Sequence, residues 1–224
     1  MFDYIEKNLR EINERINNAK LKRDTKYNKE VRLMAVTKTV PVDKINFAVS
    51  RGINLIGENR VNELLEKYDN LNKENLEIHF IGSLQTNKVK YIIDKVNMIQ
   101  SVNSVKLAEE INKRANLKNI IMDVLIEINI GGEESKTGVG ESDYLELINI
   151  IKDFKNIKIR GLMTIPPYEA DAGKYFNKMR EIYNNIKNIK LEMLSMGMSE
   201  DFEEAIECGS DIVRIGRGIF GERK

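Results

Sequence analysis

The sequence has little cysteine, histidine, tryptophan or proline, and these shortages exclude several classes of site. Its 224 residues include one cysteine, one histidine, three prolines and no tryptophan. The single cysteine, Cys208, cannot form an internal disulfide or a cysteine-rich metal site, and it fits a reducing compartment. We interpret Cys208 as a small buried hydrophobic residue near a helix end. With His79 as the only histidine, catalytic triads and multi-histidine metal centres have little material.

An excess of one charge and long apolar runs are also missing. The 36 basic and 35 acidic residues nearly cancel, so we expect no surface built to neutralise a nucleic-acid backbone. No apolar run approaches the roughly 20 residues of a membrane span, and the charged opening segment lacks the apolar core of a signal peptide. The sequence therefore predicts a cytoplasmic protein that binds neither nucleic acid nor membrane.

Short apolar runs alternate with longer helical patterns after a first predicted helix, in which Ile5, Leu9, Ile12 and Ile16 recur at helical spacing. This alternation predicts a parallel sheet. The length and the 42% hydrophobic content fit one large α/β domain over residues 1–224. Eight strands favour a closed (β/α)₈ TIM barrel with an extra N-terminal helix over an open sheet. The predicted strands are 32–38, 55–57, 77–82, 98–101, 122–130, 157–165, 190–196 and 212–215. The later helical patterns begin near Asp43, Asn62, Lys88, Ser104, Ser142, Ala172 and Asp201.

Lys38 ends the first predicted strand, on the same face as Met34 and Val36. If that face points into the barrel, the amine lies at the mouth, where the loops after the strands build active sites. Apolar surroundings lower the pKa of a lysine in general and make it a better nucleophile toward an aldehyde. Lys38 is therefore a candidate Schiff-base lysine, and the alternative is a surface lysine at a strand end.

Hydroxyl groups and glycines follow the seventh and eighth predicted strands. Ser195, Gly197 and Ser199 precede a predicted helix, where free backbone N–H groups and the helix dipole favour an anion. Gly216 and Gly218 follow the eighth strand and allow backbone amides to approach a ligand closely. This arrangement is typical of the phosphate site that barrels form after strands seven and eight. The alternative for Ser199 is a helix cap with a purely local effect on stability.

Two further features have competing interpretations. His79 lies within the third predicted strand, where it is either a structural histidine with satisfied hydrogen bonds or a residue that faces a ligand. Residues 216–221 spell G-x-G-x-x-G directly after a strand. The dinucleotide fingerprint also needs a following helix, another strand and an acidic residue about 20 positions on. The sequence stops at Lys224 before any of these, so these glycines are at most a cradle for one phosphate.

Seven segments in order resemble those of the pyridoxal phosphate homeostasis proteins, whose barrel is similar to the N-terminal domain of bacterial alanine racemase. They extend over nearly the whole chain and are AVTKT at 35–39, GEN at 57–59, HFIGSLQTNK at 79–88, SKTG at 135–138, RGLM at 160–163, SMGMS at 195–199 and VRIG at 213–216, with IFG at 219–221 beyond. The resemblance implies a protein that binds pyridoxal 5′-phosphate (PLP) and serves vitamin B6 homeostasis rather than a dedicated reaction.

The resemblance also implies a role for each matching position. The implied cofactor-binding residues are Lys38, Asn59, Ser195, Gly197, Ser199, Arg214 and Gly216. Lys38 would form the Schiff base, Arg214 would face the pyridine nitrogen, and Asn59 would lie beside the cofactor. The two serines and the backbone around Gly216 would hold the phosphate. A permanently charged arginine disfavours protonation of the ring and weakens it as an electron sink, which suits binding better than broad amino-acid chemistry.

One position departs from the family pattern. Arg217 stands where many relatives have a small hydroxyl residue, and its side chain either helps to hold the phosphate by charge or points outward. The roles of Arg217, His79 and Lys136 therefore stay open at this stage.

Three functions remain to be separated. We expect a monomeric carrier that holds PLP, releases it to PLP-dependent apo-enzymes and has no catalytic residues of its own. The second function is a compact PLP-dependent amino-acid racemase, which commonly needs acid–base groups on both faces of the cofactor. Alanine racemase obtains its second group, a tyrosine, through a C-terminal β domain, whereas this sequence ends with the predicted barrel and offers only Tyr168 in a loop after a strand. The third is a scaffold that binds partners through the barrel surface.

Overall fold

Eight parallel strands close into a barrel in the order in which they occur in the chain. This computed structural model describes residues 2–27, 29–133, 136–167 and 171–222. The strands are β1 Arg32–Val36, β2 Leu55–Glu58, β3 Glu77–Phe80, β4 Met98–Val102, β5 Met122–Ile128, β6 Ile157–Thr164, β7 Met193–Ser195 and β8 Ile212–Ile215. The first and last strands pair with Met34 opposite Arg214, and this pairing closes the barrel. The predicted eight-stranded barrel is confirmed.

Amphipathic helices surround the barrel and bury their apolar faces against it. They are α1 Asp3–Lys22, α2 Val42–Ser50, α3 Val61–Tyr68, α4 Val89–Ile92 after a 3₁₀ turn at Thr86–Lys88, α5 Val105–Leu117, α6 Tyr144–Ile151, α7 Ala172–Asn185, α8 Phe202–Glu207 and α9 Arg217–Phe220. Ser104 caps α5 by accepting a hydrogen bond from the backbone N–H of Leu107, as its place before that helix predicts. Within the described ranges, the helices lack the combination of length and apolar character needed to cross a lipid bilayer.

Helix α1 is the predicted N-terminal helix, and its four periodic isoleucine and leucine residues are buried as expected. It packs against α8 and α9. The side-chain amide of Asn8 donates a hydrogen bond of 3.0 Å to the carbonyl of Ile219 in α9. Near the other end of α1, Arg23 donates a 3.0 Å hydrogen bond to Asp211, immediately before β8. The first half of the helix therefore contacts α9, and the residue that follows the helix contacts the segment just before β8.

Every predicted strand except the eighth differs from the observed one at one or both ends, and three differences in the elements have a physical cause. The first strand ends at Val36 rather than at residue 38, because Thr39 has a φ of 62° that turns the backbone away from the sheet. The seventh strand is limited to three residues. Helix α9 is absent from the predicted elements, and one internal and two flanking glycines lower its helix propensity. Its buried residues Ile219 and Phe220 pack into the core and stabilise the helix by tertiary contacts instead.

Candidate cofactor-binding site

A cavity of about 1050 Å³ opens at the carboxyl ends of the barrel strands. Segments that follow β1, β2, β3, β5, β6, β7 and β8 form its walls, together with Tyr4 of α1. Among the predicted cofactor-binding residues, those that line the cavity are Lys38, Asn59, Ser199, Arg214 and Gly216. The structure therefore brings together, at one mouth, residues that are far apart in the sequence. This is the end of the barrel at which such folds build their active sites.

The backbone on both sides of Lys38 is held by a hydrogen-bond network from β2 and α3. The amine of Lys67 donates to the carbonyl of Thr37 at 2.8 Å and to the carboxylate of Glu58 at 3.0 Å. The hydroxyl of Thr37 donates to the same carboxylate at 2.7 Å. The backbone N–H of Thr39 donates to Glu63 at 2.7 Å, and this contact supports the left-handed backbone at Thr39. Lys38 itself is half-buried and is presented to the cavity from a fixed segment.

Arg214 reaches the cavity from β8 and is 4% exposed. Its guanidinium donates to the carbonyl of Thr164 and to the hydroxyl of Ser195, both at 2.8 Å. Burial lowers its pKa to about 10, while Asp201 and Glu127 favour the charged form, so the group is positively charged at neutral pH. These two hydrogen bonds use two of the five N–H donors of an arginine and leave others for a ligand.

Ser195 and Gly197 have positions that differ from the predicted phosphate contacts. Ser195 is fully buried and is not among the lining residues, because its hydroxyl accepts from Arg214 and donates to Gln100 at 2.8 Å. Gly197 is needed for its backbone, which has a φ of 92°. A side chain there would also lie 2.5 Å from the Cβ of Ala205. The structure therefore gives Ser195 a contact with the arginine, and it gives Gly197 the turn from β7 into α8.

Asn59 supplies an unpartnered polar atom to the cavity. Its Oδ1 is buried and has no hydrogen-bond partner in the described part of the chain. The backbone of Asn59 is fixed by Gly82, where an added Cβ would lie only 2.1 Å from the Asn59 carbonyl oxygen. A buried polar atom without a partner costs free energy unless a ligand or water satisfies it. This side chain is therefore suited to a polar ligand.

The cavity wall carries an excess of positive charge among its described residues. Its cationic residues are Lys38, Lys44, Lys136, Arg214 and Arg217, and its acidic residues are Glu200, Asp201 and Glu222. The Lys136 amine donates to the carbonyl of Pro166 at 2.9 Å and pairs with Glu133 at 2.8 Å. Arg217 pairs with Glu200 at the rim. An anionic ligand is favoured in such a cavity, since the surrounding charges are attractive.

His79 has a buried structural setting rather than a place in the cavity wall. It is fully buried and contacts Gln100 at 2.9 Å and Glu77 at 3.3 Å.

Sequence reasoning missed Gln100, and it also missed the Thr164 carbonyl. The available signal for Gln100 was a polar residue in the middle of the otherwise apolar strand β4, which is buried at every position. Two residues named in the sequence analysis, Tyr168 and Ser135, lie outside the described residues.

The expected place of Cys208 near a helix end is confirmed. It directly follows α8 as a free, half-buried thiol, and burial raises its pKa to about 11. A thiol with so high a pKa is a poor nucleophile at neutral pH.

Comparisons with known proteins agree on one family. The family model described as "Alanine racemase, N-terminal domain" matches residues 4–224. The pyridoxal phosphate homeostasis protein of Aquifex aeolicus is 50% identical over 199 residues, which cover 86% of this chain and 87% of that protein. PipY of Synechococcus elongatus, solved with PLP bound, is 26% identical, has a TM-score of 0.85 and covers 97% of this chain and 100% of its own.

A more distant structure shows how far the fold extends. Alanine racemase of Streptomyces coelicolor shares the fold at 15% identity, with a TM-score of 0.76, and the match covers 99% of this chain but 59% of the racemase. The whole chain thus corresponds to one part of that enzyme. With the barrel, the mouth residues and the relatives taken together, the chain belongs to the alanine racemase N-terminal domain family and, within it, to the pyridoxal phosphate homeostasis proteins.

Proposed function

We propose that this protein binds PLP in the mouth cavity and takes part in vitamin B6 homeostasis, holding the cofactor as a Schiff base on Lys38 and supplying it to other enzymes. The observation that carries the proposal is the meeting of Lys38, Asn59 and Arg214 in one cationic cavity. The names of the relatives and the PLP bound to PipY support the choice of ligand. The match over residues 4–224 supports treating residues 1–224 as one functional domain.

The aldehyde, the pyridine nitrogen and the phosphate of PLP each have a suitable partner among the residues of the cavity. The Lys38 amine is the nucleophile for the aldehyde, and the network on either side of it fixes its backbone. Arg214 faces the pyridine nitrogen as a charged hydrogen-bond donor. Ser199 and the backbone at Gly216 hold the phosphate, for which the cationic wall is favourable. PLP supplies an aldehyde and an electron-accepting ring when it is bound, and the arginine limits the second property.

Two assignments change because of the geometry. We assign Ser195 to positioning Arg214, since its hydroxyl is engaged on both sides and does not line the cavity. Gly197 contributes the turn that carries Ser199 to the cavity wall. Arg217 lies at the rim beside Glu200, where its charge adds to the attraction for a phosphate. The expected monomeric state, the cytoplasmic location and the recipient apo-enzymes stay predictions.

The Schiff base is tested by spectroscopy and peptide mapping. We expect the wild-type protein with PLP to be yellow, and borohydride to bleach it and fix a pyridoxyl group on Lys38. Lys38→Ala should lose the absorbance while it keeps a similar melting temperature, because the residue lies at the mouth and not in the packed layers of the barrel. Lys44→Ala is the matched control, since Lys44 lines the same cavity, and it should stay yellow. A pyridoxyl group on Lys44 or Lys136, with Lys38 unmodified, would refute the assignment.

A further inference from the structure

A continuous chain of hydrogen bonds crosses the interior of the barrel and ends at Arg214. From the cavity it runs from Arg214 to Ser195 at 2.8 Å and from Ser195 to Gln100 at 2.8 Å. It continues from Gln100 to His79 at 2.9 Å and from His79 to Glu77 at 3.3 Å. The three middle residues are fully buried. Barrel interiors are normally filled by layers of apolar side chains, so this polar chain is an exception that needs a reason.

Each hydrogen bond in this chain has a definite direction when His79 is neutral. Arginine only donates, so the oxygen of Ser195 accepts and its single hydrogen points to the Oε1 of Gln100. The amide nitrogen of Gln100 then donates to Nδ1 of His79, which must be unprotonated. The proton of a neutral His79 therefore lies on Nε2 and points to the carboxylate of Glu77.

Protonation of His79 requires the opposite arrangement. Both ring nitrogens then donate, so Gln100 must turn its oxygen to Nδ1 and its NH₂ group to Ser195. Ser195 would receive two donors, from Gln100 and from Arg214, and its own hydrogen would lose its acceptor. The chain therefore has two arrangements, one with every hydrogen bond made when His79 is neutral and one with an unpaired Ser195 hydrogen when His79 is protonated. They differ in how the hydroxyl that contacts Arg214 is oriented.

Burial, rather than the carboxylates around it, favours the neutral state of His79. Burial lowers the pKa of His79. Glu77 opposes that effect through its carboxylate, which itself is shared with Arg32 of β1 at 2.9 Å. Asp123 of β5 also favours the charged imidazole, but it is paired with Arg160 of β6 at 2.6 Å. Desolvation is the largest of these effects, because the imidazole is fully buried while Glu77 is partly exposed.

We propose that Ser195, Gln100 and His79 are positioning residues that act through Arg214, so that PLP binding is coupled to the neutral state of His79. The proposal rests on the proposed function, in which Arg214 contacts the pyridine nitrogen. A guanidinium held by Ser195 in one orientation keeps its remaining donors directed at the ligand. Because coupling is reciprocal, bound PLP lowers the pKa of His79, and a tenfold affinity difference between the two states shifts that pKa by about one unit.

The single histidine makes a direct measurement possible, since ¹⁵N-histidine labelling reports on His79 alone. We expect the free protein to show a protonated Nε2 and an unprotonated Nδ1 at pH 7.5, and a lower pKa once PLP is bound. Ser195→Ala is the control, because it removes the link between Arg214 and Gln100 but leaves the charges of PLP in place. In that variant the response of His79 to PLP should largely disappear, and the absorbance maximum of the bound cofactor should shift.

A conservative substitution separates positioning from simple structural support. His79→Asn keeps an acceptor for Gln100 close to the position of Nδ1 but cannot be protonated. We expect it to bind PLP within about threefold of the wild-type affinity at pH 7.5 and to lose less affinity than the wild type as the pH is lowered to 5.5, since the effects of pH on PLP and on the lysine amine are common to both proteins. His79→Leu, which lacks the acceptor, should bind more weakly at both pH values.

The outcomes distinguish this inference from the proposed function. If borohydride does not fix PLP on Lys38 of the wild type, the proposed function fails and this inference fails with it. If PLP is fixed on Lys38 but the His79 pKa is the same with and without PLP, the coupling is wrong and the proposed function stands. An Nδ1-protonated tautomer, or an equal PLP response in Ser195→Ala, also overturns the coupling alone.

Discussion

Arg214 is held on two sides, by the Thr164 carbonyl and the Ser195 hydroxyl, and it lies near two carboxyl groups. Burial raises the pKa of Glu127 and of Asp201, while the arginine lowers both. A fixed cation in this setting serves as a rigid donor toward a ligand. Substitutions of Arg214 can therefore show whether its charge or its hydrogen bonds to Ser195 and Thr164 matter for the ligand.

Replacing Arg214 should weaken PLP binding and change its spectrum. Arg214→Lys keeps the charge but cannot reach Thr164 and Ser195 together, and a lost hydrogen bond to a charged group is worth about 1.5–3 kcal/mol, or roughly 10- to 100-fold in affinity. Arg214→Glu should shift the absorbance further, because a carboxyl group there can let the pyridine nitrogen take a proton. Titration with PLP followed by absorbance measures both effects. An unchanged spectrum and dissociation constant in both variants would show that Arg214 does not touch the ring.

Strand alternation is enough to predict a place at the mouth of the barrel for Lys38, and the family resemblance predicts the role of Arg214. It is not enough to predict what Ser195 contacts, because that depends on Gln100 of β4, a strand that pairs with β3 and β5 and not with β7. Contacts across the barrel interior depend on how side chains of non-adjacent strands interdigitate. Local sequence patterns carry no information on that packing.

At the scale of elements, helix α1 is anchored by a buried ion pair. Arg23, which follows the helix, donates to Asp211 and to the carbonyl of Gly209, both at 3.0 Å. The second carboxylate oxygen of Asp211 accepts from the backbone N–H of Leu194 at 2.9 Å. One carboxylate therefore connects α1 to β7 and to the start of β8, where the barrel is closed.

Removing the cation from this pair should destabilise the protein strongly. Arg23→Met leaves Asp211 buried without its partner, and breaking a buried pair in this way costs about 3–5 kcal/mol. Arg15→Met is the matched control, because the ion pair of Arg15 with Glu203 joins α1 to α8 at the exposed surface, where a pair is worth about 0–1 kcal/mol. Urea denaturation measures the free energy of unfolding of each variant, and we expect the dependence of that free energy on urea concentration to be the same in both. Equal losses in the two variants would contradict a special role for Asp211.

The predictability of the elements follows their local signals. Helix α1 was predictable because its apolar residues repeat at helical spacing from Ile5 to Ile16, over about three turns. Helix α9 was not, because its stability comes from Ile219 and Phe220 packing into the core and from Asn8 of α1. The end of β1 at Val36 could not be predicted for a similar reason. Glu63 supports the positive φ of Thr39 from a distant helix, and no residue near Thr39 signals it.

At the scale of the whole molecule, stability should depend on pH partly through His79. Its pKa is lowered in the folded state, so the unfolded state binds more protons in the window just below its ordinary value of about 6.5. The contribution is therefore fully present above that pH and is lost as the pH falls, with a slope of at most about 1.4 kcal/mol per pH unit.

This dependence is measured best as a difference between two proteins. The buried carboxyls Glu58, Glu127 and Asp201 have raised pKa values and act in the opposite direction, but they are common to the wild type and to His79→Asn. We expect the stability advantage of the wild type to shrink between pH 7 and pH 5.5 in urea denaturation. A difference that is constant over this range would mean that His79 does not titrate there.

As a whole, the protein should act by transferring PLP and not by turning over amino acids. Protein loaded with PLP should restore the activity of a PLP-dependent apo-enzyme, and Lys38→Ala prepared in the same way should deliver much less. Without a second acid–base group, which typically supplies about 10²–10⁴ in rate, only slow background racemisation is expected. Exchange of alanine stereochemistry at enzyme-like rates, lost on replacing Lys38 or Tyr168, would make the protein a compact racemase instead.

The barrel closes where β1 pairs with β8, and we call this pairing the seam. The candidate site contains residues from both sides of the seam, so it is complete only after the last strand has been synthesised. Lys38 follows the first strand and Arg214 lies on the last, and these two strands are neighbours only after the barrel has closed. A growing chain on the ribosome contains Lys38 long before it contains Arg214. In the proposed function, tight capture of PLP would therefore require the finished barrel, and the cofactor would link the two strands across the seam. Loss of the cofactor and opening of the seam should accordingly be coupled, so that the apo protein exchanges its β1 and β8 amide hydrogens faster than the loaded one.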